Sequence, residues 1–98
     1  MLHFYFIAPD APKAKNAEGL EAAASFSMVA YEILLKLGLI EKRYNFFMDF
    51  RWNASYVARK VRYIDFFLED DSHLETKRFI EMINKATEKD MELIAYAQ

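Results

Sequence analysis

Residues 44–52, YNFFMDFRW, place a large apolar side chain at every second position: Tyr44, Phe46, Met48, Phe50 and Trp52. A strand turns alternate residues to opposite faces, whereas a helix would scatter these five around its circumference. The spacing therefore predicts a strand over 44–52 whose even-numbered face lies on a core. Its other face would carry Asn45, Phe47, Asp49 and Arg51, with Phe47 an apolar residue among polar ones.

The rest of the chain supplies partners for such a strand. Leu2–Ala8 is an apolar run interrupted by His3 and closed by Pro9, the pattern of a central strand. Pro9 and Pro12 mark a loop running to Lys15. Asn16 is a candidate cap for a helix over 17–38, which Gly38 would end and Leu39 would follow in a Schellman motif. Its apolar positions form two adjacent stripes, Leu20-Ala24-Ser27-Tyr31-Leu34-Leu35 and Ala23-Phe26-Ala30-Ile33-Leu37. That surface is wider than one sheet face normally covers.

Residues 56–69 fit two periods. Val57, Val61, Ile64 and Leu68 make a helical face, while 60–69 also alternates and is rich in β-formers. Ser72-His73-Leu74-Glu75 reads as a capping box, opening a helix to about Thr87 with Leu74, Phe79, Ile80 and Ile83 inward. A strand over Met91–Ala97 closes the chain. With 60–69 as a strand, the order is β-α-β-β-α-β, which predicts an α+β, ferredoxin-like sandwich: an antiparallel sheet with two helices on one face. With 56–69 as a helix, a less regular α+β domain results.

A chain of 98 residues is read as one domain. Apolar residues make up 54% and aromatics 16%, against the ~45–50% apolar content of an average domain. The surplus points either to a well-filled core or to a face shared with a partner. The absence of cysteine excludes disulfides, zinc–thiolate sites and thiol nucleophiles. The N-terminal run lacks a basic region and is too short for a signal peptide, and uncharged 22–31 falls short of the ~20 residues that span a bilayer. A cytoplasmic chain without membrane association is expected, and Asn53-Ala54-Ser55 reads as an ordinary turn rather than a glycosylation site.

Net charge is −2 but unevenly spread. Between 41 and 62, Lys42, Arg43, Arg51, Arg59, Lys60 and Arg62 face only Glu41 and Asp49, whereas 65–75 carries Asp65, Glu69, Asp70, Asp71 and Glu75 and no cation.

Three functions follow from these features. A non-enzymatic protein-interaction module, self-associating as a homodimer or covering another protein as adaptor, inhibitor or assembly subunit, would use the open sheet face or the over-wide helix at 17–38. Tyr5, Phe47, Tyr63 and Phe67 are its expected contacts, with Tyr96 a neighbour and no cofactor required. Alternatively, single-stranded nucleic acid would stack on aromatics of 41–62 while Arg43, Arg51, Arg59, Lys60 and Arg62 hold phosphates. The segment KVRYIDFF lacks the glycine of an RNA-recognition signature, and the acidic 65–75 run would repel a backbone. An enzyme would need Asp49, Asp65 and His3 brought together, or a cation held by Glu69-Asp70-Asp71, acids that equally suit a helix N-terminus.

Overall fold

A computed structural model describes residues 1–12, 18–67 and 74–97, with the side chains of residues 66 and 67 excepted. Among the described residues, seven elements follow one another: β1 (Leu2–Ile7), β2 (Glu21–Phe26), α1 (Met28–Lys36), β3 (Phe50–Trp52), α2 (Ala54–Phe67), α3 (Leu74–Glu88) and β4 (Glu92–Ala97). The four strands form one antiparallel sheet in the order β2-β1-β4-β3. This is an α+β fold with a ferredoxin-like layout, reached through the element order ββαβααβ instead of the expected βαββαβ.

The sheet alternates as its sequence requires. Leu2, Phe4 and Phe6 of β1, Phe50 and Trp52 of β3, and Leu93 and Ala95 of β4 point into one core, which all three helices cover. Phe4 meets Phe26, Phe50 and Trp52 at ring-centroid distances of 5.8, 5.8 and 5.2 Å. Each such side chain, fully buried, contributes roughly 1.5–3 kcal/mol. The indole N–H of Trp52 is buried there and finds no acceptor among the described residues. The opposite sheet face carries a smaller cluster of Ile7, Ile94 and Tyr96, flanked by Tyr5, Ala11 and Leu20.

Three expectations are corrected. The helix over 17–38 is a strand and a shorter helix. Residues 21–26 pair with β1, and a bulge opposite Phe4/Tyr5 absorbs one residue. Alanine favours a helix, but pairing to a central strand overrides so small a preference. Ser27 then caps α1, its Oγ accepting from the Ala30 amide at 3.2 Å. The far end is as expected: Gly38 has φ +76°, its amide donates to Leu35 O (3.1 Å), and the Leu39 amide donates to Leu34 O (2.9 Å). Asn16 and Ala17 lie outside the described residues.

The strand over 44–52 shrinks to Phe50–Trp52, because β4 offers it only Leu93, Ile94 and Ala95 as partners. Asn45 and Asp49 supply the alternatives. The Asn45 Oδ1 accepts from the Phe47 amide (2.8 Å) in a local turn, and the Asp49 Oδ1 accepts from the Ala97 amide (2.9 Å). Phe46, Phe50 and Trp52 are still buried, but Met48 is exposed.

Residues 60–67 are helix, not strand. Asn53 caps α2 by accepting from the Tyr56 amide at 2.9 Å, and Val57 and Lys60 are buried. In α3, Phe79 and Ile83 are inward as expected, whereas Leu74 is exposed. Ser72 and His73 of the expected capping box lie outside the described residues; Glu75 also pairs with Arg78 at 2.9 Å. Among the described residues, no helix is long and apolar enough to cross a membrane.

Candidate functional site

The helical period of α2 puts Tyr56, Arg59, Lys60 and Tyr63 on one face, at spacings of three, four and seven. The segment that leaves α1 runs opposite them, and the two walls enclose a cleft of about 410 Å³ lined by Gly38, Glu41, Arg43 and those four residues. Hydrogen bonds from two phenols help pin the walls together. Tyr63 Oη donates to the Leu37 carbonyl at 2.8 Å, and Tyr56 Oη donates to Glu41 Oε2. The loop is held from behind as well, because Tyr31 Oη donates to the Tyr44 carbonyl at 2.7 Å. Gly38 is needed twice: for its left-handed conformation, and because a Cβ there would stand 2.6 Å from Tyr63 Oη.

Tyr56 is the hub. Arg43, Arg59 and Lys60 each place their charge over its ring, at 6.0, 5.6 and 5.0 Å from the centroid. Cation–π attraction of about 0.5–2 kcal/mol each offsets part of the repulsion among like charges. Glu41 offsets more through an ion pair with Lys60 at 3.0 Å. Among the described residues, neither Arg43 nor Arg59 has a carboxylate partner, and their contacts are to the rings of Tyr44 and Tyr56. Among the described residues, the cleft therefore holds three cations against one carboxylate.

That crowding displaces protonation equilibria. Burial, and then the hydrogen bond to Glu41, hold the Tyr56 phenol well above its ordinary range. Burial pulls the Lys60 ammonium down, with Glu41 opposing. Burial pushes the Glu41 carboxyl up, but hydrogen bonds from Tyr56 and Lys60 outweigh it, and the net shift is downward.

The other expected site residues lie elsewhere. Arg51 is on the opposite sheet face, where its guanidinium binds Glu92 at 2.8 Å and the carbonyls of Ala11 and Ala8 at 3.0 and 3.1 Å. Arg62 is exposed on α2 outside the cleft lining. Tyr5 faces Tyr96 across the sheet at 5.9 Å, as expected, but the segment after β1 folds over this face and leaves Tyr96 buried. Phe47 stands on the 41–49 loop, 74% exposed. Phe67 ends α2, and its side chain lies outside the description. Tyr5, Phe47 and Tyr63 thus share no face, because the two segments expected as strands are a loop and a helix.

The acid–base candidates are dispersed too. His3 Nδ1 is 2.6 Å from Ser25 Oγ, Asp49 holds the Ala97 amide, and Asp65 is exposed on α2. Glu69, Asp70 and Asp71 lie outside the described residues. Among those described, no group of three or more His, Cys, Asp or Glu is placed to hold a metal ion. Sequence reasoning missed the roles of Tyr56 and Glu41. The spacing of Tyr56, Arg59, Lys60 and Tyr63 held the signal, hidden while 60–69 was read with period two.

No family model, curated protein or solved structure matches this chain.

Proposed function

We propose that the protein is a non-enzymatic binding module whose working surface is the cleft between α2 and the 37–44 segment, and that it docks another protein presenting an acidic group there. The convergence of Arg43, Arg59 and Lys60 on the Tyr56 ring carries this reading. Three cations gathered against a single carboxylate repel one another, and a negatively charged ligand relieves that cost. Arginine also suits the role chemically, because its planar fork matches an oxyanion better than a lysine does. A titration of ¹⁵N-labelled protein with a short acidic peptide tests it. Amide shifts should concentrate in 41–44 and 56–63 and weaken as salt rises. Shifts confined to other elements, or none at low salt, would sink the reading.

A second reading, self-association, has its own support. Phe47 and Met48 are 74% and 40% exposed on a turn whose backbone Asn45 fixes and whose neighbour Phe46 is anchored in the core. A preorganised apolar tip of this kind loses little entropy on docking. Light scattering at rising concentration should show a mass above the 11.6 kDa of one chain, and Phe47→Asp should return it to that value with an unchanged circular dichroism spectrum. A wild-type mass fixed at one chain would dismiss this reading and leave the first intact.

A further inference from the structure

We propose that the group this cleft takes is a phosphate monoester in its dianionic form, an inference that rests on the anion-binding reading above. Donor accounting leads there. The hydroxyl of Tyr56 already donates to Glu41 and that of Tyr63 to Leu37, so both phenol protons are committed. What remains is the set of guanidinium N–H groups on Arg43 and Arg59, together with the Lys60 ammonium, which gives one contact to Glu41. Two planar forks and one point charge can reach the three terminal oxygens of a tetrahedral phosphate from different sides. A carboxylate has only two oxygens, both in one plane, so it matches one fork and leaves donors on the other sides of the cleft without an oxygen to meet.

Charge agrees with geometry. Among the described residues, three cations and Glu41 leave the cleft with an excess of two positive charges, which a dianion neutralises and a monoanion does not. The cleft volume of about 410 Å³ exceeds what a bare phosphate fills, so the group bearing the phosphate has room against Tyr63. That bearer is either a phosphorylated side chain of a partner or a free phosphorylated small molecule; the terminal monoester is common to both.

The experiment is calorimetry at low salt with five probes. They are a phosphoserine peptide, its unphosphorylated form, its glutamate-substituted form, ribose 5-phosphate, and an oligothymidylate lacking terminal phosphates. Each is run at pH 7.5 and 5.5. Among the described residues, the groups facing the ligand are Glu41 and Arg43 on one wall and Tyr56, Arg59, Lys60 and Tyr63 on the other, and none of these is a histidine. A monoester loses its second charge with a pKa near 6, so binding of the phosphorylated probes should fall about fourfold at the lower pH. Arg59→Gln or Arg43→Gln should weaken it at least tenfold, each checked for folding by circular dichroism, while Arg62→Gln should leave it unchanged.

Tighter binding of the phosphopeptide assigns the phosphate to a partner protein, and tighter binding of the sugar phosphate assigns it to a small ligand. Equal binding of the glutamate and phosphoserine peptides, or a flat pH response, overturns the inference and spares the anion-binding reading. Preference for the oligothymidylate overturns it in favour of a phosphodiester backbone. Failure of every anionic probe overturns both.

Discussion

The ammonium of Lys60 lies 3.0 Å from Glu41 Oε1, and the two side chains are unequally buried, at 5% and 44% exposure. Deleting either partner therefore has a different consequence. Glu41→Gln strands a buried cation, which in fully buried pairs costs about 3–5 kcal/mol. Because Glu41 is half-exposed, about 1–3 kcal/mol is expected here. Lys60→Met removes the buried charge itself and leaves a carboxylate that Tyr56 and water still satisfy, so a cost under about 1 kcal/mol is expected. Urea denaturation of the two variants checks the asymmetry, and equal costs would contradict it.

The same cluster sets the response to pH. Glu41 titrates below its ordinary 4.5 in the folded state, so its contribution is present above that pH and is lost as pH falls through the folded value. Tyr56 titrates above its ordinary 10.0, so its contribution is full below pH 10 and is lost as pH rises beyond it. Lys60, lowered from 10.5, acts in the opposite sense: its burial cost is relieved as pH rises. The larger displacement of Tyr56 decides the net loss. Tyr56→Phe should make the fall of melting temperature between pH 9 and 11 shallower. Tyr31 and Tyr96, whose phenols burial also raises, keep it from vanishing. An unchanged alkaline slope would exclude Tyr56 as its source.

The sequence pattern disclosed some of this and hid the rest for physical reasons. The central strand at Leu2–Ile7, the Gly38–Leu39 helix end and the last strand were legible because local chemistry and tertiary structure agree there. Residues 21–26 were not, because Ala22, Ala23 and Ala24 carry helix propensity while their strand state comes from pairing with β1. Residues 60–67 satisfy both periods, and the cap that decides for a helix is Asn53, several residues upstream. The basic character of 41–62 was visible, but grouping its cations was not. Arg43, Arg59 and Lys60 meet around Tyr56 only once α2 is helical, whereas Arg51 lies on the other face of the sheet by the alternation of β3, as its sequence period predicts.

Gly38 couples the end of α1 to the cleft. Gly38→Ala meets two obstacles: the left-handed backbone, worth roughly 1–2 kcal/mol for a residue with a Cβ, and the Tyr63 hydroxyl 2.6 Å from that Cβ. Relieving the clash displaces Tyr63 Oη from its hydrogen bond to Leu37. Tyr63→Phe removes the obstructing oxygen, so Gly38→Ala should cost about 1 kcal/mol less in that background, a coupling read from a double-mutant cycle. Additive costs would show that the ring moves aside freely and that backbone strain is the whole effect.

Arg51 carries the same charge as the cleft arginines but performs a different task. Its guanidinium binds Glu92 with two nitrogens at 2.8 Å and ties the carbonyls of Ala8 and Ala11 to the sheet. Glu92 in turn accepts from the Ala54 amide at the start of α2 (3.2 Å), so one carboxylate joins β3, β4 and a helix N-terminus. Both side chains are largely buried, at 20% and 10% exposure. Arg51→Gln leaves that carboxylate without its cation and is expected to cost about 2–4 kcal/mol. Arg51→Lys should recover less than half of the loss, because a point charge cannot serve a carboxylate and two carbonyls as the planar fork does. Phosphopeptide affinity should remain at the wild-type level in both variants under conditions where they are folded. Denaturation curves and calorimetry on the same samples separate the two roles: a loss of affinity without a loss of stability would move Arg51 into the binding surface, and a loss of stability alone confines it to the scaffold.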